Sequence, residues 1–318
     1  MAPGKQILRR AMLYVPTSSR KMMEKALNLD VDMVAFDLED SVTLSLKPEA
    51  RIAAREILHL PRPSGVGELA VRINAPETGL ALEDLTEVLK APNLDTIVVP
   101  KVNSAADLHF VTDVVRHLRP SKELSPENKP PVRILALIES AKALSSLNEI
   151  CSASPYLTGL AFAAEDFAAD LSITRTPSLS EFLYARSAIV TACRAHDLPS
   201  SIDLVSTKIK GEDAMNELQE ECIGGRGLGF NGKQCIHPSQ VRIAQNAFGP
   251  NSREVEWAVR VVIANEKAEM AGRGAWTLDG KMIDVPVVMA ARAMINKAIL
   301  CKIDISAVQD AWQTQQPE

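Results

Sequence analysis

The sequence predicts an α/β fold: a closed (β/α)8 TIM barrel over residues 1–250, then a C-terminal helical extension over 251–318. Three observations predict it. Eight short apolar, β-branched runs alternate with longer amphipathic stretches. The runs are nearly continuous in apolar residues, as parallel strands buried on both faces must be. Eight such units favour closure over an open doubly wound sheet, and no GxGxxG follows the first run to suggest a dinucleotide-binding domain.

Taken in order, the expected strands are Ala11–Pro16, Met33–Glu39, Leu69–Asn74, Thr96–Val102, Arg133–Glu139, Thr158–Asp166, Ser200–Val205 and Lys233–His237. Helical spacing separates them. In Ser104–Leu118, residues Leu108, Val111, Val115 and Leu118 share one face, behind Ser104 as N-cap. Pro120–Pro131 is expected to be a polar, proline-rich loop. After the eighth run come helices near Pro238–Ala247 and Ser252–Ala271, the latter closed by Gly272 and Gly274. The remainder, Ala275–Glu318, carries Trp276, Met282, Ile283, Val285, Val287, Val288 and Met289, an apolar density suited to an interface.

Composition narrows the class. Of 318 residues, 46% are hydrophobic and 24% charged, which excludes a disordered or fibrous chain. The net charge of -5 gives no basic field, so nucleic acid is not an expected partner. Five scattered cysteines without a CxxC argue for a reducing compartment and against a disulfide framework. No apolar run is long enough to cross a membrane. The expectation is a cytoplasmic protein, with mitochondrial import left open.

Barrel enzymes carry their chemistry at the C-terminal ends of the strands. Those ends are polar here: Asp37, Glu39 and Asp40 after the second run, Arg72, Lys101, Glu139, Asp166, Asp203 and His237 after later ones. Glu139 and Asp166 end adjacent strands, where two unpaired carboxylates would repel. Either a divalent metal holds them, with oxygen ligands favouring Mg2+ or Mn2+, or they pair with Arg72 or Lys101. Lys21 and Lys25 share a helix face after the first strand, as a solvated face or a phosphate contact. His237 is an acid–base candidate or a structural residue. No Ser-His-Asp arrangement is present.

The motifs RAMLYVP (10–16), DLED (37–40), VRIN (71–74), VPKV (99–102), IES (138–140), AEDF (164–167), GFNGKQCIHP (229–238) and MIDVP (282–286) occur in this order. On them the chain, from about Arg9 to about Ala298, resembles the HpcH/HpaI aldolase and citrate lyase β-subunit family, and most of all its citramalyl-CoA lyase branch. The resemblance implies a Mg2+-dependent carbon–carbon lyase for 3-hydroxyacyl-CoA thioesters. It implies Glu139 and Asp166 as metal ligands, and Arg72 as the contact to substrate and enolate. It implies Tyr14, Lys21, Lys25 and the backbone at Ile236-His237 as CoA contacts. It further implies Asp284 as the acid/base, delivered to a neighbouring barrel by the extension within a homotrimer. Two departures are Thr17 for a glycine beside the CoA loop and Ala163-Ala164 for a glycine pair beside the acyl pocket. A CoA-independent keto-acid aldolase, a malyl-CoA thioesterase and a degenerate acyl-CoA-binding scaffold are the competing readings.

Overall fold

A computed structural model describes residues 7–119 and 132–318; the expected loop Pro120–Pro131 lies outside the described residues. The chain forms two compact units, divided between Gln245 and Asn246. In the first, eight parallel strands close into a barrel: β1 (Ala11–Pro16), β2 (Val31–Asp37), β3 (Val66–Arg72), β4 (Thr96–Val99), β5 (Arg133–Ile138), β6 (Leu157–Phe162), β7 (Ser200–Asp203) and β8 (Gly232–Cys235). Closure is direct, with Ala11, Met12 and Leu13 of β1 opposite Lys233, Gln234 and Cys235 of β8. All seven residues of β2 are buried, which explains why its sequence shows no polar alternation. Met12, Met33, Ala35, Ala70, Val98, Leu135, Leu137, Ala161 and Ile202 fill the interior, and Tyr14 packs on them half-buried.

Helices follow the strands: α1 (Arg20–Ala26), α2 (Lys47–Ile57), α3 (Ala81–Val88), α4 (Ala105–Leu118), α5 (Ala141–Ser145), α6 (Leu147–Ser152), α7 (Ala164–Leu171), α8 (Leu183–Ala195), α9 (Glu212–Leu228) and α10 (Pro238–Phe248). A capping box between Ser104 and Asp107 starts α4, whose buried stripe includes Leu108, Val111 and Val115. Opposite the mouth, buried Arg9 donates to Glu68 (2.7 Å), Thr158 (3.0 Å), Ser200 (3.2 Å) and Thr96 (3.3 Å) and ties four strands together.

Several strands end earlier than the sequence suggests. β2 ends at Asp37, not Glu39, because the Asp37 carboxylate accepts the N–H groups of Glu39 (3.0 Å) and Ser41 (3.1 Å) and turns the chain out of the sheet. β4 stops before Pro100, which has no N–H to donate. β6 ends at Phe162, so Asp166 lies in the first turn of α7 rather than on a strand. β8 ends at Cys235, and Ile236 and His237 belong to the following turn.

The second unit holds α11 (Ser252–Met270), β9 (Trp276–Leu278), β10 (Lys281–Ile283), α12 (Val285–Leu300) and α13 (Ser306–Ala311). The extension is therefore not purely helical. Asp279 and Gly280 both take positive φ (49° and 73°), the two-residue turn that matches strand twist in a hairpin. Trp276, Leu278 and Ile283 of the hairpin pack with Ala258, Val261 and Ala264 of α11 and Val288 and Ala291 of α12. Among the described residues no helix is long and apolar enough to cross a membrane.

Candidate active site

The ends of β2, β3, β4 and β5 bring their charges together. Arg72 grips Asp37 with both arms: Nε lies 2.7 Å from Oδ1 and Nη2 lies 2.8 Å from Oδ2. Its Nη1 is 3.0 Å from Glu39 Oε2 and 3.4 Å from Asp40, and the guanidinium stands over the Tyr14 ring, 4.8 Å from its centroid. The ring is placed in turn. Gln234 Nε2 donates to the carbonyls of Phe162 (2.8 Å) and Asp203 (3.1 Å), which leaves Gln234 Oε1 to accept from the Tyr14 hydroxyl at 2.9 Å. Burial pushes the Tyr14 phenol far above its ordinary range, so it stays a neutral donor. For Asp37 burial works against ionisation, yet the hydrogen bonds and charge of Arg72 hold it below the usual carboxylate range.

Glu39 is different. It is buried with both oxygens unbonded by hydrogen, although Arg72 (3.0 Å) and Lys101 Nζ (3.4 Å) stand at ion-pair distance. Burial raises its carboxyl to about 7. Glu139, at the end of β5, is also buried and is pushed up to about 8, first by burial and next by the charge of Glu39. Its Oε1 accepts the main-chain N–H of Lys101 at 3.1 Å. Asp166, exposed on α7, adds its own negative charge to the surroundings of Glu139 and Lys101.

This arrangement favours a metal over a salt bridge at Glu139 and Asp166. The cations that could have neutralised Glu139 and Asp166 are committed elsewhere, Arg72 to Asp37 and Lys101 to Glu39. Among the described residues neither Glu139 nor Asp166 has an ion pair. A buried carboxylate beside further negative charge is costly unless a cation joins it. Among the described residues no three His, Cys, Asp or Glu side chains cluster as a metal cage. Mg2+ takes oxygen ligands, commonly one or two carboxylates, and keeps several waters. The donor set therefore fits a Mg2+ ion.

The other expected residues fall as follows. Lys21 and Lys25 are exposed on α1 without an ion pair among the described residues, whereas Arg20 is taken by Glu24 (3.1 Å) and Glu56 (2.8 Å). The N–H groups of Ile236 and His237 both point to Gln240 Oε1, at 2.9 and 3.3 Å, so Gln240 fixes that turn. His237 Nδ1 bonds Ser239 Oγ at 2.8 Å. Asp203 leaves the mouth altogether: it is fully buried and paired with Arg186 of α8 at 2.6 Å. Asp284 is the N-cap of α12, accepting from Val287 N–H at 3.2 Å, in the second unit. Thr17 uses what a glycine lacks, since its hydroxyl donates to the Asp37 carbonyl at 2.6 Å. Ala163 caps α7 and Ala164 is buried beneath its first turn. Sequence reasoning assigned no role to Asp37, Glu39 or Gln234, although the DLED run was a visible signal for the first two.

A closed barrel with a carboxylate-rich mouth around one fixed arginine has the layout of a barrel enzyme, with its chemistry at the C-terminal strand ends. Residues 10–238 match the HpcH/HpaI aldolase/citrate lyase family, and the chain belongs to it. It is 34% identical over 295 residues to the citrate lyase subunit beta of Haemophilus influenzae, covering 92% of this chain and 97% of that protein. It is 32% identical over 309 residues to the mitochondrial citramalyl-CoA lyase of Homo sapiens, covering 94% and 88%. Among solved structures, CitE from Mycobacterium tuberculosis in complex with magnesium, acetoacetate and coenzyme A superposes with a TM-score of 0.71 at 30% identity, covering 92% of this chain and 98% of that one.

Proposed function

We propose that the protein is a Mg2+-dependent carbon–carbon lyase that cleaves a 3-hydroxyacyl-CoA thioester, citramalyl-CoA to pyruvate and acetyl-CoA or malyl-CoA to glyoxylate and acetyl-CoA. One observation carries this reading: Glu139 is buried beside the charges of Glu39 and Asp166, while the nearby cations are committed to Asp37 and Glu39. Glu139 and Asp166 would hold the ion. When bound, it supplies Lewis acidity and orientation for the hydroxyl and carboxylate oxygens of the substrate.

The chain's own residues supply the rest. As the carbon–carbon bond breaks, negative charge moves to the thioester oxygen. Arg72, locked by Asp37 and seated on Tyr14, is a preorganised cation at the mouth that would stabilise that charge. Lys21 and Lys25 are placed to meet the phosphates of CoA, and the turn at Ile236-His237 closes beside it. Asp284 gives the enolate carbon its proton. In this reading residues 251–318 form a lid that brings Asp284 to a neighbouring subunit in a closed homotrimer. Support comes from the apolar residues flanking Asp284, with Met282 72% exposed, Val285 65% and Met289 57%, a patch that asks for cover.

The test is a panel of 3-hydroxyacyl-CoA thioesters with Mg2+, followed by keto-acid and acetyl-CoA release. Equal amounts of the two products support the lyase. Free CoA without a keto acid would show a thioesterase instead, and cleavage of a free hydroxy acid without CoA would show an aldolase.

A further inference from the structure

Lys101 combines three features that no role above uses. It follows Pro100 at the end of β4 in the left-handed region, with φ at 50°, where a side chain is disfavoured and glycine is the usual occupant. That conformation turns its main-chain N–H to Glu139 Oε1 on the neighbouring strand, at 3.1 Å. Its side chain reaches the other way, over the end of β3, to Glu39 Oε1 at 3.4 Å, and remains 37% exposed at the mouth. The charges of Glu39, Asp40, Glu139 and Asp166 all act on this one ammonium.

A turn alone would be met by glycine at lower conformational cost. A lysine here means that both the turn and the charge are in use. We propose that Lys101 is a positioning residue of the metal site: its N–H aims Glu139, and its ammonium is a resident cation that sets how tightly a divalent ion is held. The proposal rests on Glu139 and Asp166 being the metal ligands. The ammonium, paired with Glu39, lies within the field of Glu139 and Asp166, so its positive charge repels the ion and lowers its affinity. A site relieved in this way tolerates its own negative charge while empty and releases the ion more readily.

The sign of this effect sets it apart from a merely structural role. Mg2+ binding is measured by calorimetry at pH 8 on the full-length chain, with wild type, Lys101→Met, Lys101→Gly and Lys101→Arg in parallel. Lys101→Met removes the charge and keeps the N–H; binding should tighten by about three- to tenfold at low salt, and the gain should shrink as salt screens it. Lys101→Gly relaxes the backbone as well and should tighten binding similarly, which covers the case of a poorly folded Lys101→Met. Lys101→Arg keeps the charge and should stay within about twofold of wild type. Unchanged or weaker binding in both uncharged variants, with wild-type binding intact, overturns the assignment. Absence of Mg2+ binding by the wild type overturns the metal site itself, and this proposal with it.

Discussion

Arg72 belongs to Asp37. The guanidinium meets both oxygens of that carboxylate, at 2.7 and 2.8 Å, across the ends of neighbouring strands β2 and β3. The pair does two jobs: it neutralises a buried charge, and it fixes the arginine in one orientation at the mouth. Arg72→Lys keeps the charge and loses the fork, so activity should fall by about 10²-fold or more with the fold retained. Arg72→Ala leaves Asp37 buried without its partner and should also destabilise the protein by about 3–5 kcal/mol in denaturant titration. Wild-type activity in Arg72→Lys would remove Arg72 from the chemistry.

Two carboxyls at the mouth titrate high, Glu39 at about 7 and Glu139 at about 8, against an ordinary value of 4.5. Between those limits the folded chain binds more protons than the unfolded one. Their contribution to stability is fully present below about pH 4.5 and is lost as pH rises through 7 to 8. Chelator-treated protein should therefore lose Tm from these groups between about pH 5 and pH 8. Mg2+ at 100 times its Kd should return about 2.7 kcal/mol at pH 8 and much less at pH 5, where protons occupy the carboxylates. A Mg2+ effect on Tm that is equal at both pH values would contradict the site.

Lys21 and Lys25 are exposed on α1 with no ion pair among the described residues, and exposed charges act mainly on binding. The double change to alanine should raise KM for the thioester by about three- to thirtyfold at low salt, with kcat little altered. Raising ionic strength should narrow the gap between variant and wild type. An unchanged KM at low salt would place the CoA phosphates elsewhere.

Asp284 lies in the second unit, at the N-terminus of α12 among exposed Met282, Val285 and Met289. Chains carrying Asp284→Ala or Asp166→Ala should each be inactive alone. Unfolded and refolded together, they should regain activity, because mixed assemblies of the proposed trimer would contain sites that pair an intact Asp166 with a neighbour's intact Asp284. Verified mixed trimers that stay inactive would mean that Asp284 serves its own barrel or none.

The barrel was legible because both faces of its strands are buried, so residues 33–36 of β2 and 134–138 of β5 read as unbroken apolar runs. Strand ends were less legible. They are set by where a neighbour's ladder stops and by local turns, such as the Asp37 carboxylate capping Glu39 and Ser41, which a run of residue types does not display. The hairpin turn at Asp279-Gly280 was visible as a dipeptide but lay inside a segment expected to be a helical extension, whose apolar density suggested an interface. At the site, the residue types at the mouth were readable, but the pairing was not. That Arg72 takes Asp37 and leaves Glu139 without an ion pair among the described residues is decided by side-chain geometry across three strands.

In the proposed function, Glu139 and Asp166 together hold one divalent ion on which cleavage depends. It is tested most directly by keto-acid release from citramalyl-CoA and malyl-CoA, using wild type and Asp166→Ala after chelation and again after return of Mg2+. The account predicts no release by either chelated protein, full recovery in the wild type with Mg2+, and none in Asp166→Ala. Full activity of chelated Asp166→Ala would contradict it.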